Sequence, residues 1–251
     1  MNIVVMQERH LAALAEIERA CFHAPWSENM LREELGKGIF LVAEQDGKTA
    51  GYVGCQTVLD EGYITNVAVS PDFRRQGICA KLLAHAEKEL KKRYFDCLTL
   101  VPATDALRAY YETLGFVSQN AAFFDEGGAP EARGVCEALS PTEYAGLRET
   151  VLYDAPHVRY SLADLRYQAS MSGFYRLELG SHFGCACAHP DGETLVVDEI
   201  LPDCSVLPAL LKQLPAKRCR VRTVGGSTPF AMCKWLSDAR MPDVYLAFDF
   251  G

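Results

Sequence analysis

The sequence predicts an α/β fold of the α+β kind, built as two tandem halves. Three observations carry this. Runs rich in β-branched residues alternate with segments whose apolar residues recur every three or four positions, the marks of strands and amphipathic helices. The stretch Ile64–Glu89 reads as strand, tight loop and helix. The order helix, helix, three strands, helix, strand, helix, strand then occurs twice, which divides the chain of 251 residues into domains 1–139 and 140–251.

In the first half, Ile3–Met6 reads as a short strand. Glu8–Cys21 reads as a helix with Leu11, Leu14, Ile17 and Cys21 on one face. Pro25 breaks it, and Ser27 can cap a second helix through Met30, Leu31 and Leu35, which Gly36 and Gly38 end. Ile39–Glu44 and Ala50–Val58 are strands joined by Asp46-Gly47, a strong hairpin signal. Ile64–Val69 follows as the central strand, and Pro71-Asp72 ends it. The next helix starts near Gly77 and buries Ile78, Leu82, Ala86 and Leu90 along one stripe. Cys97–Val101 is a strand. Thr104 or Asp105 caps a further helix that ends at Gly115.

In the second half, Ser140-Pro141-Thr142-Glu143 starts a helix with proline at its first position. Helices are predicted over 142–152 and 162–171. Strands are predicted over 174–179, 184–188, 195–201 and 219–224, with Pro190-Asp191-Gly192 as a hairpin turn. A short helix over 207–214, a helix from Thr228 through Leu236 and a last strand over 244–250 complete the chain.

Composition narrows the function. The chain carries a net charge of −8, which argues against a nucleic-acid partner held through phosphates and fits a cationic substrate such as an amine. No apolar run reaches the length a membrane helix needs, so no membrane partner is expected. The start, Met1 to Glu8, is too short and too acidic for a signal peptide. The ten cysteines lie in apolar segments and read as reduced thiols of a cytoplasmic protein. His182, Cys185, Cys187 and His189 have ligand-type side chains, but they lack the paired spacing of zinc sites, so no metal is expected.

The helix after the central strand begins with backbone N–H groups that have no partner and a partial positive charge. Gly77 lets a ligand approach the backbone closely, and Arg74 and Arg75 add formal charge. This suits a pyrophosphate. The order Val67-Ala68-Val69, Ser70-Pro71, then Arg74-Arg75-Gln76-Gly77-Ile78-Cys79-Ala80 closely resembles the acetyl-CoA signature of the GNAT superfamily of N-acetyltransferases. Cys79 departs from it, standing where glycine or alanine is usual. Tyr111-Glu112-Thr113-Leu114-Gly115-Phe116 resembles the late helix of the same family. Cys21-Phe22, then Pro25-Trp26-Ser27, looks like its ribosomal-protein-alanine N-acetyltransferase branch. The resemblance covers roughly residues 1–140.

The resemblance implies that each half has a mixed, mostly antiparallel central sheet flanked by helices. It implies direct transfer of an acetyl group from acetyl-CoA to a primary amine, a peptide N-terminus or a small molecule, without a metal. Val67, Ala68 and Val69 would hold the pantetheine arm beside a β-bulge, and Arg74, Arg75, Gln76, Gly77, Ile78, Cys79 and Ala80 the pyrophosphate. Thr104 takes the place of the family asparagine in the cofactor site. Tyr111 would protonate the leaving thiolate. The glutamate used as base in the alanine branch is replaced by Thr99, and the central-strand glutamate of other members by Tyr63. Glu61, acting through water, is the base candidate. The acceptor amine is the other partner, and a homodimer is kept open.

In the second half, Leu201-Pro202-Asp203-Cys204-Ser205 follows the matching strand, without the arginine–glycine loop. Residues 140–251 therefore look like a degenerate GNAT-like domain lacking a pyrophosphate cradle. The alternative reading is a non-catalytic acyl-CoA-binding or protein-interaction protein on the same scaffold, motivated by Cys79, Thr99 and this second half.

Overall fold

A computed structural model describes residues 1–58, 61–225, 228–237 and 245–246. The side chains of Val58, Glu61 and residues 119–124 also fall outside the description. The described residues form two compact units, Met1–Val117 with residues 233–237, and Ser118–Met232 with residues 245–246. Strands of residues 118–139, which the sequence reading places in the first domain, pack within the second unit.

The first unit opens with β1 (Asn2–Val5), a 3-10 turn (Glu8–His10), α1 (Leu11–Cys21) and α2 (Glu28–Glu33). The Ser27 hydroxyl accepts the Met30 N–H at 3.2 Å, as the cap signal predicts. β2 (Ile39–Gln45) and β3 (Lys48–Val58) form a hairpin, with Asp46 and Gly47 both at positive φ, 52° and 73°. β4 (Glu61–Val69), α3 (Ile78–Lys92), β5 (Cys97–Leu100) and α4 (Asp105–Thr113) complete the unit. Its strands order as β1-β2-β3-β4-β5, antiparallel except for the parallel β4–β5 pair. Leu11, Leu14 and Ile17 of α1 and Leu31 of α2 are buried in one core with Phe40, Val42, Tyr52 and Ala68.

The second unit contains β6 (Val117–Gly128), β7 (Val135–Leu139), α5 (Pro141–Val151), α6 (Leu162–Gln168), β8 (Gly173–Leu179), β9 (His182–Asp191), β10 (Thr194–Leu201), a 3-10 turn (Cys204–Val206), α7 (Leu207–Leu210) and β11 (Arg218–Val224). The strand order is β6-β11-β10-β9-β8-β7, with β10–β11 parallel. β7-β8-β9-β10-β11 thus repeats the order and pairing sense of β1-β2-β3-β4-β5.

One predicted helix is instead a strand. Residues 228–235 form a strand, β12 (Thr228–Trp235), in place of a helix. Phe230, Ala231, Met232 and Cys233 are buried in succession, so both faces of the segment lie in the interior. An amphipathic helix leaves one face to solvent, whereas an interior strand buries both. The predicted last strand, 244–250, lies largely outside the described residues.

The two units differ at the same point of the repeat. β4 pairs with β5 only from Glu61↔Cys97 to Tyr63↔Thr99, and the strands then part. Just beyond, Thr65 is an extra residue on β4, since Cys55 faces Ile64 and Gly54 faces Asn66. β10 has its own extra residue, Asp198, between Val197 and Glu199. There β11 resumes pairing at Ile200↔Thr223, and the Thr223 hydroxyl donates to the Ile200 carbonyl at 2.6 Å. The first unit has an open slot between its parallel strands, and in the second the matching strands stay paired.

Candidate functional site

The slot leads into a cleft of about 620 Å³, lined by Val67, Ala68 and Val69 of β4, the loop and first turn of α3, Tyr110 and Tyr111 of α4, and Cys21 and Phe22 at the end of α1. Which backbone groups face it follows from the ladder. The Ser70 N–H donates to the Ala50 carbonyl at 2.9 Å, and Gly51 faces Val69 across the strands. Bonding alternates along an antiparallel strand. Ala68 therefore bonds back to β3, while the N–H and C=O groups of Val67 and Val69 point toward the slot.

At the end of β4, the Val69 carbonyl accepts from Arg74 Nε at 3.2 Å and from the Cys21 thiol at 3.5 Å. Arg74 Nη2 donates to Cys21 Sγ at 3.3 Å. Arg74 is thus tied to the cleft wall, while Arg75 sits at φ 60°, a left-handed conformation unusual for a residue with a Cβ. Gly77 follows at φ 73° as the N-cap of α3. The first intrahelical bond is Lys81 N–H to Gly77 O at 3.2 Å, so the preceding N–H groups are left to other partners.

The Tyr110 phenol lies beside Cys79 at the first turn of α3. Burial, with Cys79 beside it, pushes the Tyr110 phenol up to about 12. Burial also raises the Cys79 thiol, and the neighbouring Tyr110 phenol opposes the rise. Tyr111 is buried, packs edge-on against Phe116 at 5.9 Å between ring centroids, and lines the cleft. Its phenol is raised by burial and by the nearby Cys79 and Tyr110, so it is protonated at neutral pH.

The predicted residues Val67, Ala68, Val69, Arg74, Arg75, Gly77, Ile78, Cys79 and Tyr111 all line this cleft. Three others have different neighbours. The Gln76 side chain accepts from Gln45 at 2.9 Å. Ala80 sits in the first turn of α3, next to the Tyr110 phenol. The Thr104 hydroxyl caps α4 by accepting the Leu107 N–H at 3.2 Å. Thr99 is fully buried and donates to the Gly62 carbonyl at 3.3 Å, which fastens β5 to β4. The backbone of Glu61 opens β4, but its side chain, the base candidate, lies outside the described residues. In the second unit, the His189 ring meets Ser172 at 2.9 Å and Asp198 at 3.2 Å, while Cys185 and Cys187 are fully buried.

A group absent from the sequence reading lies behind the cleft wall. Glu18 of α1 is fully buried. Its carboxyl accepts from the Tyr52 hydroxyl at 2.5 Å, the Trp26 N–H at 2.7 Å and Asn66 Nδ2 at 3.4 Å. Burial raises it above the ordinary carboxylate range, and these hydrogen bonds oppose the rise. Its signal in the sequence is position: four residues after Leu14, it is an acid on the apolar face of α1.

Comparison with known proteins agrees with this architecture. Residues 11–116 match the model of the acetyltransferase (GNAT) family. The chain is 39% identical over 118 residues to the [ribosomal protein bS18]-alanine N-acetyltransferase of Escherichia coli K12, covering 46% of this chain and 80% of that protein. It is 35% identical over 141 residues to the Salmonella typhimurium enzyme of the same name, covering 55% and 93%. Among solved structures, a GCN5-related N-acetyltransferase from Kribbella flavida aligns over 92% of this chain and 70% of its own, with a TM-score of 0.70 at 14% identity. That likeness concerns the fold, and it extends over both units. An open parallel slot, a glycine-capped helix at its mouth and a close relationship to named acetyltransferases agree on one assignment: the chain belongs to the GNAT family and is an N-acetyltransferase.

Proposed function

We propose that the protein acetylates the α-amino group of a polypeptide N-terminus, with acetyl-CoA as donor. The observation that carries this reading is the slot that opens beside Val67 and Val69 and runs to the free N–H groups of α3. The relatives' action on an alanine N-terminus of a ribosomal protein favours a polypeptide acceptor over a small molecule.

In this reading the pyrophosphate rests on the N–H groups of Gly77, Ile78 and Cys79, with Arg75 beside them. The backbone of Val67 and Val69 bonds the pantetheine arm as an added strand would. The Val67 N–H polarises the thioester carbonyl and stabilises the oxyanion. The neutral amine attacks that carbon, and its proton passes through water to Glu61. As the tetrahedral intermediate collapses, the C–S bond breaks and Tyr111 gives its proton to the thiolate. Holding both reactants in one cleft supplies much of the rate. Residues 140–251 serve as a degenerate domain without a cradle of their own.

A second reading is a protein that binds acyl-CoA without turnover. It is favoured by Thr99, whose buried hydroxyl bonds the Gly62 carbonyl where the alanine branch carries its base. One experiment addresses both. The purified protein is titrated with acetyl-CoA by calorimetry, then incubated with peptides beginning in alanine and other residues while CoA release and N-terminal acetylation are followed. Saturable binding with turnover on peptides supports the first reading. Binding without turnover on any amine supports the second. No binding at millimolar acetyl-CoA overturns both.

A further inference from the structure

Glu18 touches nothing in the cleft, yet it joins the two segments that form one side of it. Through Asn66 it reaches β4 one residue past the extra residue Thr65 and one residue before Val67. Through the Trp26 N–H it reaches the segment that leaves α1 after Phe22, a residue of the cleft wall. Through Tyr52 it is anchored to β3, in the layer beneath. Asn66 is itself buried, and among the described residues its Oδ1 has no partner, so the bond to Glu18 fixes the orientation of this amide. An unpartnered buried amide oxygen costs free energy, and a position that tolerates it holds the group for another reason.

We propose that Glu18 is a positioning residue for acyl transfer: it sets the place of the β4 bulge, and so of the Val67 N–H, relative to the Phe22 wall. This rests on the function proposed above, but its structural core does not. A bulge leaves its extra residue outside the ladder, so β3 alone fixes the strand poorly there. The Thr65 hydroxyl, donating to the Gly54 carbonyl at 3.3 Å, holds one side, and the Glu18–Asn66 bond holds the other. Displacements well below an ångström at a reacting centre matter to a rate far more than to affinity spread along a long cofactor.

The test uses the full chain with Asn66→Ala, which removes only the link to β4, and Glu18→Ala, which removes all three links. Hydrogen–deuterium exchange is measured over residues 63–69 and 22–26. The expected result is faster exchange over 63–69 in Asn66→Ala and over both segments in Glu18→Ala, with α3 unchanged. In turnover on an accepted peptide, both variants should lose about tenfold or more in kcat while the calorimetric Kd and stoichiometry for acetyl-CoA stay within about threefold. The double variant should lose no more than Glu18→Ala, because the two residues act in one chain. Unchanged exchange over 63–69 in both variants overturns the proposal, whatever the acceptor. So does kcat within about twofold of wild type in both. If wild type turns over no peptide, the proposed function fails, and the exchange data alone decide the role of Glu18.

Discussion

The rings of Tyr110 and Tyr111 stand 5.6 Å apart, tilted by 56°, and both residues line the cleft. Their surroundings separate the two. Tyr110 is half-buried beside Cys79, whereas Tyr111 is buried with a phenol that stays protonated, as the proton donor of the proposed reaction must be.

Tyr111→Phe should therefore lower kcat by about a hundredfold or more, the usual range for a lost general acid, with little change in the Kd for acetyl-CoA. Tyr110→Phe should leave kcat within about threefold and slow the alkylation of Cys79, because the thiol loses the neighbour that opposes the burial rise in its pKa. Steady-state kinetics and thiol labelling check the pair. Equal losses of kcat in both variants would contradict the division.

Calorimetry should find a single acetyl-CoA per chain. In the second unit, Ile200↔Thr223 pairing keeps β10 and β11 together past the bulge, so the backbone has no free edge to offer a pantetheine arm. A stoichiometry of two would show that this pairing opens in solution.

Gly51→Ala should weaken acetyl-CoA binding several-fold and destabilise the fold by about 1–3 kcal/mol. A Cβ there would stand 2.5 Å from the Ala68 carbonyl oxygen and 3.0 Å from the Val69 Cα, both backbone atoms of the cleft wall. Relief requires β4 to shift. Urea denaturation and a cofactor titration measure the two effects.

The stability of the protein should depend on pH through Glu18 with a defined sign. Burial raises its folded pKa above the ordinary value of 4.5. A raised acid contributes stability that is fully present below the unfolded pKa and is lost as pH rises through the folded one. Wild type should therefore lose stability relative to Glu18→Gln as pH rises from about 4.5 toward neutrality. Urea midpoints of the two proteins over that range check it. A wild type that gains on the variant with rising pH would reverse the sign of the burial effect.

Local rules made much of the first unit readable. The α3 stripe, the Asp46-Gly47 hairpin, the Ser27 cap and the glycine at the mouth of the cleft are each set by a few neighbouring residues, and the sequence alone determined them. So did the order of motifs that marks the family, because Arg74–Ala80 and Tyr111–Phe116 are contiguous runs. The pattern of residues 228–235 misleads because a strand buried on both faces carries no alternation to read. What only the tertiary structure decided are relations between distant segments: that β4 and β5 part after Tyr63 while β10 and β11 do not, that Tyr110 of α4 lies beside Cys79 of α3, and that Glu18 of α1 reaches Asn66 of β4. The physical reason is the same in each case. Periodicity and capping report on residues a turn or two apart, whereas the width of a slot and the partner of a buried acid depend on which strands and helices the core brings together.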